Sequence, residues 1–249
     1  VEGKVQTYVR GQKSQVHGQR AAVGGLASLT GDPRGLHAVA IEDVVALEID
    51  KDDMRDVFED HFDIAFAVIG AMARTLRELQ MMQGGAAMPT KQYFAAVGGE
   101  RPLTFVERLF FLRKTSAFRE ASIDGVSDIA ERLIEVRYEP GDVVFRAGDE
   151  AEWGLIIAAG EIEARPPDRP PFCMGPGFIV GGLDSMGDVP RWYDAVAKGH
   201  VIALQMLRTV QQDVLEDHME MAVGLLENLA RGVSHLIDAM AVAQGNADD

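Results

Sequence analysis

An internal repeat constrains the fold of this chain more than any other feature of its sequence. When residues 21–80 are shifted by 157 positions, they align without a gap to residues 178–237, and 22 of the 60 aligned positions are identical. Solenoid units recur every ~20–50 residues, so a repeat of this length indicates a whole domain used twice. In the same alignment Gly3 meets Gly160, and the segment at about 105–157 has no counterpart in the first copy. We therefore predict two copies of one module, the first incomplete at its N-terminus.

Composition limits the classes of protein to which the chain can belong. Hydrophobic residues make up 47% and charged residues 25%, as in globular domains with a core. No apolar run approaches the ~18 residues of a membrane span. The single Cys173 excludes an internal disulfide framework and suits a reducing cytoplasm. The formal net charge of −15 would repel a phosphate backbone. We expect a cytoplasmic protein that binds neither nucleic acid nor membrane.

Short β-like stretches come before a helical segment in each copy. In the second copy the stretches at 133–138, 143–145 and 155–164 are separated by turns at 140–142 and 147–149, which contain Gly, Pro or Asp. Short alternating strands between such turns favour an all-β sandwich or barrel. The β part of each module is therefore expected to be a jelly-roll-like barrel.

Helical periodicity follows the β part of each copy. Apolar residues recur at spacings of three and four over 53–82 and over 210–240, which predicts amphipathic helices. Together the patterns predict an α+β protein made of two β-barrel domains, each followed by such helices. The expected divisions are the C-terminal half of a module with its trailing helices at 1–82, a linker at 83–104, a complete module at 105–240 and a flexible tail at 241–249.

The β pattern of the second copy resembles the cyclic nucleotide-binding domain. The stretches that carry the resemblance are Tyr138–Asp149 and Leu155–Glu163, the second of which contains a Gly that permits a tight turn. The resemblance covers about 105–240 as a complete domain and 1–82 as a C-terminal half. It implies a phosphate-binding cassette in which a short helix points backbone N–H groups at the cyclic phosphate. An arginine pairs with that phosphate, and a glutamate accepts a hydrogen bond from the ribose hydroxyl.

The resemblance places the two cassettes at Val23–Ala40 and Val180–Ala197. Both keep the arginine, as Arg34 and Arg191, but both carry glycine where the family has glutamate. Losing that acceptor is expected to weaken nucleotide binding by about 1–3 kcal/mol. The candidate ligand-binding residues implied by the resemblance are Gly24, Gly25, Leu26, Arg34 and His37 in the first cassette, and Gly181, Gly182, Leu183 and Arg191 in the second.

The two cassettes differ after the arginine. The second carries Trp192 and Tyr193 in place of small residues, and Asp194 aligns with the family's phosphate-contacting Ser or Thr. A carboxylate there would repel a phosphodiester. The first copy carries His37 at that position, and histidine can donate a hydrogen bond or carry positive charge. Of the two cassettes, the first is therefore the better candidate for ligand binding.

Two further groups of residues have structural interpretations beside their functional ones. Arg191 is either a phosphate partner or a structural residue paired with Asp184 or Asp188. The repeated Glu-Asp-His sequence ending at His61 suggests catalysis, but a histidine on an apolar helix face is more often a satisfied core residue. The histidines have no metal-ligand spacing.

The resemblance implies a non-enzymatic regulatory module. In this interpretation it binds cyclic AMP, cyclic GMP or a related phosphate ligand and signals through its C-terminal helices. The alternative is a degenerate barrel that serves as a scaffold or protein-interaction module without ligand. No cofactor is expected other than such a nucleotide. The expected partners are a protein or effector domain, and a second copy of the chain through the helices.

Overall fold

The computed structural model describes residues 2–9, 12–32, 36–83 and 99–245. The chain divides into two compact units, residues 1–62 and residues 63–249. Most of the expected linker and the end of the expected tail lie outside the described residues, so these divisions stay predictions.

The first unit contains one antiparallel sheet and two helices. Its elements are β1 (Val5–Val9), β2 (Gln12–His17), α1 (Gly25–Thr30), β3 (Leu36–Ala40) and α2 (Lys51–Asp60). The strand order is β2-β1-β3. Helix α2 begins at an aspartate because the Asp50 side chain accepts hydrogen bonds from the N–H groups of Asp52 and Asp53.

The second unit contains two four-stranded antiparallel sheets and most of the helices. Its elements are α3 (Phe62–Gln83, within this unit from Asp63), α4 (Phe105–Lys114), α5 (Ile123–Arg132), β4 (Ile134–Tyr138), β5 (Val143–Phe145), β6 (Trp153–Ala159), β7 (Ile162–Arg165), β8 (Phe172–Met174), β9 (Ile179–Val180), α6 (Gly182–Gly187), β10 (Asp194–Ala197), β11 (Val201–Leu207), α7 (Arg208–Asp217) and α8 (Met219–Gly245). The sheet orders are β5-β10-β7-β8 and β4-β11-β6-β9.

A single apolar core fills the β part of the second unit. It contains fully buried residues from both sheets, including Leu155, Ile157, Ile162, Ala195 and Ala203. Inward-facing residues of two sheets form the core of a jelly-roll arrangement. The predicted α+β class with antiparallel sheets followed by helices is confirmed.

The repeat is visible in the strand pairing. Shifted by 157 positions, β1, β2 and β3 overlap β7, β8 and β10, and α1 falls on α6. The isolated bridge between Glu2 and Val45 has the register of the pair formed by Ala159 and Ile202.

Each trailing helical segment is broken at a histidine. His61 separates α2 from α3 with φ −140° and ψ 74°, and His218 separates α7 from α8 with φ −128° and ψ 72°. The backbone N–H groups of these residues donate to Val57 and Val214, which closes the preceding helix. The single apolar stripe predicted over 53–82 is thus two helices. The interpretation of His61 as a core residue is wrong, because His61 is exposed.

Candidate functional site

The second cassette begins with two glycines that the surrounding chain requires. Gly181 is the N-cap of α6 and has a left-handed φ of 68°. A Cβ atom on Gly181 would lie 2.1 Å from Nη1 of Arg191. A Cβ atom on Gly182 would lie 2.6 Å from Cγ2 of Ile179. The position at which the family has its glutamate therefore has no space for a side chain in this packing.

Arg191 is turned into the protein rather than towards solvent. Its side chain is 0% exposed. Nη1 donates to the carbonyl oxygen of Gly181 at 2.6 Å, and Nη2 donates to the carbonyl oxygen of Trp153 at 2.5 Å. The guanidinium carbon lies 4.4 Å from the ring centre of Phe145 and 4.7 Å from the ring of Trp153. Burial lowers the pKa of Arg191, although the nearby Asp184 opposes this change.

The side chains that follow Arg191 occupy the space beside the cassette helix. The buried hydroxyl of Tyr193 accepts a hydrogen bond from the backbone N–H of Gly181 at 3.1 Å. Burial raises the pKa of Tyr193 above its usual value, so the hydroxyl stays neutral. Trp192 packs against Phe172, with ring centres 6.2 Å apart, and edge-on against Tyr193 at 4.9 Å. The first N–H of the cassette is therefore engaged by a side chain of the same module.

The carboxylate of Asp194 also has a structural partner. Its Oδ1 accepts a hydrogen bond from the backbone N–H of Ala147 at 2.8 Å. The contact joins β10 to the turn after β5. Asp194 thus fixes this turn to the start of β10.

Asp184 is a buried acid on the cassette helix. It is 1% exposed, and its Oδ1 lies 2.7 Å from Nε of Arg77, whereas Oδ2 lies 4.0 Å from Nη1 of Arg191. Burial raises the pKa of Asp184 to about 6, against the lowering effect of the two arginines. The expected alternative pairing of Arg191 with Asp184 is thus a longer contact than the one with Arg77. The other expected partner, Asp188, pairs with Arg208.

Helix α3 holds the cassette through two arginines. Arg77 Nη2 donates to the carbonyl oxygen of Pro190 at 2.9 Å, and Arg74 Nη1 donates to that of Gly187 at 2.8 Å. Gly187 is the last residue of α6, where a helix has unpaired acceptors and favours positive charge, and Pro190 lies three residues beyond it. Sequence reasoning did not find either arginine, because each lies in an amphipathic helix where charged residues are expected to face solvent.

Helix α3 runs parallel to α8. A Cβ atom on Gly232 would lie 3.2 Å from the Leu76 side chain, and Gln83 Nε2 donates to the carbonyl oxygen of Leu236 at 3.0 Å. Contacts advance in the same direction along both helices. The cassette is thus connected through α3 to the last helix of the chain.

The first cassette has the same helix but more open surroundings. Gly24 is the N-cap of α1 with φ 89°, and Leu26 is half-buried. Among the described residues, a Cβ atom on Gly25 would meet nothing within 4 Å. His37 is exposed on β3, paired in register with Tyr8. Arg34 lies outside the described residues. The structure thus groups Gly24, Gly25 and Leu26 at one helix start, and Gly181, Gly182, Leu183 and Arg191 around the other.

The described residues offer neither a metal-binding cluster nor a membrane-spanning helix. In the ranges that the structure describes, His, Cys, Asp and Glu do not cluster in threes able to hold a metal ion. The described helices include none that is both long and apolar enough to cross a membrane.

Two antiparallel sheets with a glycine-started cassette helix, followed by paired helices, define a jelly-roll module with trailing helices. The model of the family described as the cyclic nucleotide-binding domain matches residues 1–61 and 135–218, more than half of the chain. The chain therefore belongs to the cyclic nucleotide-binding domain family, as the resemblance predicts. No curated protein matches it.

Three solved structures are similar to parts of the chain. A cyclic nucleotide-binding-like protein from Brucella abortus is 22% identical, with TM-score 0.39, over 44% of this chain and 98% of that one. The N-terminal domain of a transcriptional regulator from Streptomyces coelicolor is 25% identical, with TM-score 0.46, over 52% and 96%. A mutant cAMP-binding acyltransferase from Mycobacterium smegmatis is 26% identical, with TM-score 0.37, over 45% of this chain and 36% of that one.

Proposed function

We propose that the chain is a non-enzymatic regulatory module whose second cassette is held by its own side chains in place of a nucleotide. The observation that carries the proposal is the placement of Arg191. A phosphodiester ligand would need this guanidinium as its partner. Freeing it would break two hydrogen bonds to carbonyl oxygens and its contacts with Phe145 and Trp153. In this proposal the second module acts as a scaffold or protein-interaction module.

Three further features of the second cassette support the same proposal. The N–H of Gly181, an expected phosphate donor, is bonded to Tyr193. The site of the family's glutamate has no space at Gly182. Asp194 places a negative charge where a phosphate contact is expected. Each of these features disfavours a bound cyclic nucleotide.

The proposed output passes through the helices. Helix α3 follows the first cassette in the chain and holds the second through Arg74 and Arg77. We propose that α3 and α8 report to a protein partner or effector domain, or to a second copy of the chain. The net charge of −15 disfavours nucleic acid as the partner. The single cysteine supports a cytoplasmic location.

The test is hydrogen exchange on the whole chain with and without 1 mM cyclic AMP or cyclic GMP. We expect the amides of residues 181–197 to exchange at the same rate in all three samples. Isothermal titration of the same samples measures any binding. Micromolar binding accompanied by protection of residues 181–197 would overturn the proposal, because the nucleotide would then occupy the second cassette.

A second candidate function is cyclic-nucleotide sensing by the first cassette. The observation that favours it is the open space at Gly25, where the family carries its glutamate. Gly25→Glu should therefore strengthen cyclic AMP binding by about tenfold or more, since it restores a hydrogen-bond acceptor. Gly182→Glu is the matched control and should only destabilise its module. No gain from Gly25→Glu, or binding that survives Arg34→Ala, would remove this candidate.

A further inference from the structure

A cavity of about 570 Å³ lies on the helical side of the second unit, apart from Arg191 and its aromatic partners. Its walls come from the α4–α5 connection, β11, α7, α8 and the cassette helix α6. The volume is within the usual range of small-molecule pockets, about 300–1,000 Å³. Neither the family's cassette chemistry nor the function proposed above uses this space.

The apolar wall of the cavity is rich in methionine. Met186 of α6, Met206 of β11 and Met221 of α8 all line it, together with Leu215. Methionine side chains are flexible and polarizable, so they adapt to ligands of different shape. Because Met186 belongs to the cassette helix, a molecule in the cavity would touch the cassette from behind.

One polar side chain in the cavity has no partner. Gln211 of α7 lines the cavity and is 7% exposed. None of the side-chain hydrogen bonds found among the described residues involves its amide, and the amide is not among their buried unsatisfied groups, so it is accessible from the cavity. A bound molecule can supply both the donor and the acceptor that this amide needs.

Most charged groups at the mouth of the cavity are paired with neighbouring side chains. Ser122 donates to Glu220 at 2.6 Å. Arg231 donates to Asn228 at 2.9 Å and lies 3.9 Å from Glu227. The two remaining charged lining residues, Arg119 and Glu120, are exposed and opposite in sign, so the mouth does not require a charged ligand.

We infer that this cavity is a binding site for a neutral small molecule with an apolar ring body and one amide-type edge. The ring lies against the methionine wall, and the amide edge exchanges hydrogen bonds with Gln211. The site is independent of the proposed function, because it would bind its ligand whether or not a nucleotide reaches either cassette.

Gly224 provides a way to fill the cavity without disturbing its walls. It lines the cavity from the second turn of α8, and a Cβ atom there would meet none of the described residues within 4 Å. Both Ala and Phe favour a helix over Gly. Gly224→Phe should therefore fill the cavity, and Gly224→Ala is the matched control that leaves it open.

The experiment is methyl NMR of the whole chain carrying ¹³C-methyl methionine, titrated with 1-naphthaleneacetamide, a neutral ring with one primary amide. We expect the methyl signals of Met186, Met206 and Met221 to shift with a Kd of about 10–100 μM. The signal of Met174, buried in the barrel core, should not move. Gly224→Phe should abolish the shifts, and Gly224→Ala should keep them.

A second variant keeps the test valid if Gly224→Phe does not fold. Gln211→Leu should weaken the amide by about tenfold while the methyl signals of the free protein stay dispersed. The inference is overturned if the three methyl signals do not shift up to 1 mM, if Gly224→Phe folds and still binds, or if Gln211→Leu binds as tightly as the unaltered chain.

Discussion

Nε of Arg77 lies 2.7 Å from Oδ1 of Asp184, and the repeat has no equivalent pair. Asp184 aligns with Ala27, and Arg77 aligns with Ser234, so both partners are replaced in the corresponding positions. Arg74, by contrast, aligns with Arg231. The ion pair therefore distinguishes the second cassette from the first, although the two cassettes share their glycines and their arginine.

Removing Arg77 should destabilise the second unit. Arg77→Met leaves the buried carboxylate of Asp184 with only Arg191 nearby, and an uncompensated buried charge costs about 3 kcal/mol. A double-mutant cycle with Asp184→Asn should give a coupling of about 1–3 kcal/mol. Urea unfolding followed by tryptophan fluorescence measures this, since the only two tryptophans are Trp153 and Trp192.

The control for that cycle is an exposed pair in the same unit. Arg165 and Glu163 lie 2.6 Å apart at the surface of β7, where an ion pair contributes only about 0–1 kcal/mol. Arg165→Met should therefore change the free energy of unfolding far less than Arg77→Met. Equal effects of the two substitutions would mean that the Arg77 contact is an ordinary surface pair.

Asp184 should make the stability of the second unit depend on pH. Its pKa of about 6 in the folded state is above the usual value, so the folded state binds the proton more tightly than the unfolded chain does. The stability contributed by the proton is complete below about pH 4 and is lost as the pH rises through 6. Relative to Asp184→Asn, the free energy of unfolding should fall by about 2–3 kcal/mol between pH 4 and pH 7.5. Urea titrations at both pH values measure it; parallel pH profiles for the two proteins would contradict the assignment.

Arg191→Lys should be strongly destabilising despite keeping the charge. A lysine lacks the planar guanidinium whose two nitrogens donate separately to Gly181 and Trp153 and whose face packs on aromatic rings, so we expect a loss of about 3 kcal/mol. Arg146→Lys, at an exposed position of the same module, should change stability by less than about 0.5 kcal/mol. A melting temperature unaffected by Arg191→Lys would instead indicate that the guanidinium is available to a ligand.

Tyr193→Phe isolates a single hydrogen bond at the start of the cassette helix. Without the hydroxyl, the buried N–H of Gly181 has lost its acceptor, which should cost about 1–3 kcal/mol. The amide of Gly181 should also exchange faster with solvent. An unchanged exchange rate would show that another group satisfies this N–H.

Local sequence patterns predicted the two modules but did not predict which groups the Arg191 side chain contacts. The repeat, the turn glycines and the alternation of apolar residues act over a few residues, so they are readable in the sequence. The unsuitability of Trp192 and Tyr193 for phosphate binding was also a local observation. One of the two acceptors of Arg191, by contrast, is the carbonyl of Trp153, 38 residues away. Tertiary packing alone brings these groups together.

The break in the trailing helices and the role of Arg77 also could not be predicted from the sequence. Apolar spacing of three and four continues through His61, because both helices that meet there bury an apolar face, so periodicity alone could not locate the break. The position of Arg77 in the helical pattern predicts a side chain that faces solvent. Arg77 instead forms an ion pair, because the buried carboxylate of Asp184 lies beside it. Such long-range partners are what a single sequence cannot specify.

Gly3 and Gly160 occupy equivalent positions in the two copies, 157 residues apart, and make the same close backbone contact. Gly160 (φ 83°) packs so closely on the next strand that a Cβ atom would lie 2.2 Å from the carbonyl oxygen of His200, and Gly3 (φ 93°) has the same distance to that of Asp43. One contact lies within a four-stranded sheet and the other beside a single isolated bridge. The same close backbone approach therefore recurs in both copies of the module. A side chain at either glycine would push the two paired segments apart, so this position tolerates only glycine in each copy.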